Sequence, residues 1–194
     1  MRIGVMALQG DFAAHCEALR RVGAEAVEVR TARELEETDA LVLPGGESTT
    51  MLKLLRLEGL DGKLADYGRR KPIFGTCAGA ILLAKHVSSP AQESLGMMDL
   101  DVERNAYGRQ IDSRVVTVHP EPGAQFDEPV EAVFIRAPII RKSGPGVRVL
   151  IRYNGDPVLV EEGRHMVATF HPELTADSRV HQYFLEKVKG QARA

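Results

Sequence analysis

The chain opens on an apolar run from Ile3 to Leu8, and short apolar runs then alternate with stretches whose apolar positions fall at helical spacing. Phe12, Cys16 and Leu19 share one face of a helix; Ala26 to Val29 and Leu41-Val42-Leu43 read as strands. A leucine-rich segment from about Thr49 to Leu57 reads as a helix, a second helical stretch reaches Arg70, and Pro72-Ile73-Phe74 restarts the strand pattern. Such alternation predicts a parallel sheet with helices on its faces. Beyond Gly96 the pattern changes to alternating or β-branched runs: Leu100-Asp101-Val102, Val115 to Val118, Val130 to Ile135, Val147 to Ile151, Val158 to Val160 and Met166 to Phe170. These predict antiparallel additions to the sheet. Val180, Phe184, Leu185 and Val188 then mark one side of a closing amphipathic helix. The expected fold is α/β and three-layered: a mostly parallel central sheet flanked by helices, with antiparallel additions in the C-terminal half. No repeat or linker divides the chain, so residues 1–194 are expected to form a single domain.

Composition narrows the class. At 194 residues, with 44% apolar and 27% charged residues, the chain can bury one sizeable core and has the make-up of a soluble globular protein. A net charge of -2 without blocks of like charge offers no footprint for nucleic acid or an anionic membrane, so neither is expected as a partner. The apolar start turns polar at Gln9-Gly10-Asp11, too soon for a signal peptide or a span, and a cytoplasmic location is expected. Two cysteines, Cys16 and Cys77, are too few for a disulfide framework; each is a buried thiol or a reactive one.

Three segments carry candidate chemistry. Gly75-Thr76-Cys77-Ala78-Gly79 has the spacing of a nucleophile elbow between a strand and a helix, where flanking glycines permit a sharp turn and the helix N-terminus favours a thiolate. The same pentapeptide is compatible with a small buried thiol at a tight turn. Thr169-Phe170-His171-Pro172-Glu173 ends an apolar strand run; in extended backbone His171 and Glu173 point to one side, as a base and its orienting carboxylate must, although His-Pro-Glu alone also suits a surface turn. Leu43-Pro44-Gly45-Gly46-Glu47-Ser48-Thr49-Thr50 leaves a strand and opens a helix. Its backbone N–H groups could line an oxyanion hole, or Ser48 or Thr49 could simply cap the helix. It lacks the lysine of a phosphate loop. The remaining histidines, His15, His86, His119, His165 and His181, show no metal-ligand spacing and read as ordinary surface or helix residues; no metal or cofactor is expected.

Together these segments resemble the class I, triad-type glutamine amidotransferases. More narrowly, the chain is similar to the glutaminase subunits of pyridoxal 5′-phosphate synthase, the two-subunit system that makes vitamin B6. The narrower likeness rests on Leu8-Gln9-Gly10, Pro44 to Thr50, the cysteine elbow, Glu103-Arg104-Asn105-Ala106-Tyr107-Gly108-Arg109-Gln110, Phe134-Ile135-Arg136-Ala137-Pro138 and Phe170 to Thr175. The resemblance implies a Cys77 nucleophile, a His171 base and acid, and Glu173 as its orienter. It also implies a glutamine site made of Gly46, Glu47, Ser48, Arg104, Ile135 and Arg136, with Gly46 and Ala78 at the oxyanion. The expected function is hydrolysis of L-glutamine to glutamate and ammonia, the ammonia passing to a barrel-type synthase subunit in a hetero-oligomeric complex. Independently of the likeness, a guanidinium fork matches the α-carboxylate of glutamine. The alternatives are another cysteine-elbow α/β hydrolase such as a peptidase or deglycase, a glutaminase serving a different synthase, and a non-catalytic module that binds an anion on the glycine turn.

Overall fold

The computed structural model describes residues 1–106, 113–124 and 128–191. In the first half β1 (Arg2–Met6), β2 (Glu25–Val29), β3 (Ala40–Leu43) and β4 (Ile73–Thr76) alternate with α1 (Phe12–Arg21), α2 (Ala32–Glu36), α3 (Ser48–Leu57), α4 (Asp61–Arg70) and α5 (Ala78–Leu83). The second half supplies β5 (Ala84–Ser88), β6 (Met98–Glu103), β7 (Arg114–Pro120), β8 (Val130–Phe134), β9 (Ile139–Ser143), β10 (Val147–Tyr153), β11 (Asp156–Glu162) and β12 (His165–Ala168), then α6 (Arg179–Gln191). The main sheet runs β2-β1-β3-β4-β12-β11-β10-β7-β8. Its first five strands are parallel and the rest pair antiparallel, as the change of pattern beyond Gly96 predicts for all of the later strands of this sheet except β12, which joins β4 in parallel.

Both faces of the sheet are covered. In β3, Ala40 and Val42 face a layer containing Cys16 and Leu19 of α1 and Phe184 and Val188 of α6. Leu41 and Leu43 face the opposite layer, with Met51 and Leu55 of α3, Leu64 and Tyr67 of α4, and Leu82 of α5. Burial on both sides explains why the central strands are apolar without interruption. Cys16 is a core thiol, 2% exposed, as its place beside Phe12 and Leu19 suggests.

Three further details depart from expectation. Leu100 and Val102 do not extend the main sheet: β6 lies in a separate three-stranded sheet, β5-β6-β9, whose buried side packs with the α3–α5 layer. β5 escapes prediction because Lys85 and His86 are exposed on a sheet edge. α2 is too short for a periodic signal, yet its start is written in Thr31 and Glu34, which form a reciprocal capping box.

One polar cluster ties α6 to the sheet. Glu161 of β11 accepts from Arg148 Nε at 2.7 Å, from the Tyr183 hydroxyl at 3.0 Å and from Lys187 Nζ at 3.0 Å. Burial opposes its charge, but Lys187 and Arg148 hold its carboxyl below the usual range.

Candidate active site

The adjacency of β4 and β12 brings distant residues together. Thr76 lies beside Ala168 in parallel register, so Cys77 and His171 leave neighbouring strands at the same, carboxyl-terminal edge of the sheet. The Cys77 backbone N–H donates to the Ala168 carbonyl at 2.9 Å. Cys77 adopts φ 47°, ψ -99°, a conformation that side chains rarely take and that marks a strained elbow. Its flanking glycines are required sterically: a Cβ on Gly75 would lie 2.6 Å from the Gly79 carbonyl. Strand and helix approach as closely here as the elbow motif predicts.

His171 Nδ1 lies 2.7 Å from Glu173 Oε1, and the His171 backbone N–H donates to the Val133 carbonyl at the end of β8 at 2.8 Å. The pairing is the predicted one, but the backbone is not extended: Pro172–Leu174 forms a 3-10 turn that swings the carboxylate back under the imidazole. Burial alone would lower the His171 pKa. Side-chain hydrogen bonds to Cys77 and Glu173 outweigh it and raise the pKa to about 10. With Nδ1 given to Glu173, Nε2 is the nitrogen left for the thiol. Gly45 makes room for this arrangement, since any Cβ there would collide with the His171 ring.

A cavity of about 250 Å³ opens beside Cys77 and His171, a size that suits an amino acid better than a nucleotide. Gly46, Glu47, Ser48, Arg104, Ile135 and Arg136 all line it. Asp11, Ile81, Asn105 and Pro138 line it too. Asn105 and Pro138 lie inside segments the sequence singles out, whereas nothing in the spacing of Asp11 or Ile81 points to them. Ala78 follows Cys77 at the start of α5, and Glu173 sits behind His171 rather than in the cavity wall. Tyr107 to Gln110 of the Arg104 segment lie outside the described residues.

The glycine turn differs from one reading of it. Neither Ser48 nor Thr49 caps α3; the N-cap is Glu47, whose carboxylate accepts from the Thr49 and Thr50 backbone N–H groups at 3.1 and 2.6 Å. A carboxylate reaches further back than a hydroxyl and satisfies two orphan donors at once. Against the cost of burial, the bonds from Thr50 and Thr49 lower the Glu47 pKa to about 2. Arg104 Nη2 donates to Thr49 Oγ1 at 3.1 Å and to Glu47 Oε1 at 3.3 Å, so the guanidinium is held at the rim. The Ser48 hydroxyl is engaged with Gln92 Oε1 at 2.9 Å.

Two histidines read as ordinary residues are fully buried behind the triad. His15 of α1 and His181 of α6 are 0% exposed, with His15 Nδ1 2.9 Å from His181 Nε2. His15 Nε2 lies 3.1 Å from Thr76 Oγ1 and 3.3 Å from Glu173 Oε2. Their partners are 61 to 166 residues away, so spacing could not reveal them. His165 is also buried, accepting from the Ile73 N–H at 3.3 Å, while His86 and His119 are exposed as expected. Among the described residues, Asp11, His171 and Glu173 each offer one ligand atom within 4.8 Å of the others, but two of the three are already bonded to each other.

A cysteine elbow, a paired imidazole and a buried carboxylate stand together at the carboxyl edge of a parallel sheet, the arrangement a cysteine-dependent α/β enzyme requires. Residues 5–190 match the SNO glutamine amidotransferase family, and the chain belongs to it. It is 60% identical over 190 residues to the pyridoxal 5′-phosphate synthase subunit PdxT of Solibacter usitatus, covering 96% of this chain and 99% of that one. The protein of the same name from Thermotoga petrophila is 50% identical, with 97% and 100% covered. A solved structure described as a glutamine amidotransferase superposes with a TM-score of 0.88 at 47% identity, covering 96% of this chain and 98% of that one.

Proposed function

We propose that this chain hydrolyses L-glutamine to L-glutamate and ammonia, and supplies the ammonia to the synthase subunit of a pyridoxal 5′-phosphate synthase. The observation that carries the reading is the linkage of Cys77, His171 and Glu173 beside a cavity of amino-acid size, in a chain whose full-length relatives bear that name.

The chemistry follows from the positions. The Cys77 sulfur, its proton already held by His171, attacks the side-chain amide carbon, and the carbonyl π pair moves onto oxygen. The backbone N–H groups of Gly46 and Ala78 are assigned to that oxyanion. His171 then protonates the amide nitrogen, the C–N bond breaks, and ammonia leaves a glutamyl thioester. Water, giving its proton to His171, attacks the thioester; the C–S bond breaks with its electron pair going to sulfur, glutamate departs, and the proton stays on His171. Glu173 keeps the imidazole oriented and balances its charge whenever the ring is protonated. Arg104 and Arg136 are assigned to the substrate carboxylate, with Gly46, Glu47, Ser48 and Ile135 completing the glutamine site.

The partner is proposed to be a barrel-type synthase docked in a hetero-oligomeric complex that receives ammonia directly, since free ammonia is protonated and lost near neutral pH. Exposed Leu174, one residue beyond Glu173, provides apolar surface next to the site for such a contact. The family match over residues 5–190 supports one glutaminase domain spanning 1–194. Two unpaired cysteines fit a reducing, cytoplasmic setting, and no helix among the described residues is long and apolar enough to cross a membrane. The test is glutamate release from glutamine with and without the synthase subunit. Absence of glutamate with the partner present, or failure of glutamine to protect Cys77 from alkylation, rejects the reading.

A further inference from the structure

The triad chemistry uses one oxygen of Glu173 and leaves the other unexplained. The Glu173 side chain is 0% exposed; Oε1 is bonded to His171, while Oε2 has no fully formed hydrogen bond. Leaving such an acceptor unpaired in the interior costs about 1–3 kcal/mol or more. The polar atom facing it is His15 Nε2 at 3.3 Å, close enough to bond but off line, because the same nitrogen also approaches Thr76 Oγ1.

Counting protons assigns the direction. Burial first, then the neighbouring His181 and His171, push the His15 pKa well below 6.5, and burial lowers that of His181 to about 3; both rings are neutral and each carries one N–H. If His15 held its proton on Nδ1, it would donate to His181. Nε2 would then accept from the Thr76 hydroxyl while its lone pair faces the Glu173 carboxylate, leaving Oε2 without a donor, and His181 Nδ1 would keep a buried N–H with no acceptor. With the proton on Nε2, His15 donates toward Glu173 and accepts from His181 Nε2–H, and His181 Nδ1 is merely an unused lone pair. The second arrangement satisfies more groups at lower cost. Facing His15 are Thr76 and the edge of the Phe74 ring from β4, Glu173 and His171 from the segment after β12, and His181 from α6, with Arg21 acting on His181 from the end of α1.

Resting on the glutaminase reading, we infer that His15 is a positioning residue for the reaction: its Nε2–H holds Glu173 Oε2, and His181 locks the tautomer that does so. The pair anchors the carboxylate from behind, so that Oε1 stays aimed at His171 as the imidazole gains and loses its proton. It also explains why neutral histidines, rather than cations, occupy this layer: a fixed positive charge there would compete with His171 for the carboxylate.

Two polar variants separate positioning from packing. In His15→Gln the amide nitrogen stands near the place of Nε2 and keeps a donor for Glu173; in His15→Asn it stands near Nδ1 and does not reach. Glutamate release by the complex with the synthase subunit is measured from acid to alkaline pH. His15→Asn is expected to lower kcat by about 10- to 100-fold with KM little changed, the range for removing a partner that orients a reactive group. Its pH profile should move relative to the parent's, because the carboxylate that orients the His171 imidazole has lost its second anchor. His15→Gln should stay within about threefold of the parent. Equal losses in both variants with an unmoved pH profile overturn the inference alone; a parent complex that forms no glutamate overturns the underlying reading and the inference with it. Should either variant fail to fold, nitrogen-15 imidazole spectra of the parent chain decide: a proton on His15 Nε2 supports the assignment, and one on Nδ1 overturns it.

Discussion

Glu161 and Glu173 are both buried carboxylates linked to α6, yet they are partnered in opposite ways. Glu161 meets a guanidinium, an ammonium and a phenol, whose charges do not change near neutral pH. Glu173 meets two imidazoles, protonated His171 and neutral His15, the latter backed by His181. The first arrangement clamps a helix to a sheet and has no proton to move. In the proposed reaction the second leaves the carboxylate's counter-charge to a ring that must gain and lose a proton during turnover, which is what would distinguish a working site from a strut.

The largest effect that could break this comparison lies upstream of both carboxylates. Cys77→Ala should abolish glutamate release, a loss of more than about a thousandfold in a coupled assay, while far-UV circular dichroism stays unchanged. Next, Glu173→Gln should lower kcat by about 10²- to 10⁴-fold, a larger effect on turnover than on the urea midpoint. Glu161→Gln should do the reverse, costing about 3 kcal/mol in urea denaturation because two cations lose their partner, with kcat of the folded protein near normal. If both substitutions hit the same observable, the distinction between clamp and working site is false.

A smaller effect belongs to the rim. Arg104→Lys keeps the charge but not the fork, and should raise KM for glutamine about tenfold with kcat almost unchanged, read from initial rates.

The gentlest probe is pH. His15, His165 and His181 have folded pKa values below 6.5, at about 4 for His165 and about 3 for His181, so unfolded chains bind protons that the native state refuses. Their contribution is complete above pH 6.5 and is lost as pH falls below it, each adding a slope of about 1.4 kcal/mol per pH unit. Glu161, held below 4.5, should weaken the fold only at lower pH. His171 has the opposite sign: raised to about 10, it contributes fully below pH 6.5 and loses that contribution as pH rises toward 10. Urea titrations from pH 7 to 5 should show the histidine slope, and His181→Thr should remove one proton's share of it.

Much of the site is legible along the chain because its chemistry is local. A nucleophile between glycines announces a strained turn whatever surrounds it, and a histidine two residues before a carboxylate can pair with it through one turn. The α/β layering is legible for a similar reason: strands covered on both faces cannot afford polar interruptions, and Leu41-Val42-Leu43 shows none. The separate β5-β6-β9 sheet is not legible, since alternation reports that one face of β6 is buried but not against which layer.

By itself, then, the sequence determined the order of elements, the cysteine elbow and the histidine that pairs with a carboxylate two residues on. Only the tertiary structure decided that β4 and β12 lie side by side, that Glu47 rather than Ser48 caps α3, and that His15 and His181 meet behind Glu173. Whether an imidazole is a solvated surface group or a neutral donor depends on the groups that exclude water from it, and those come from α1, β4 and α6, which only folding brings into contact.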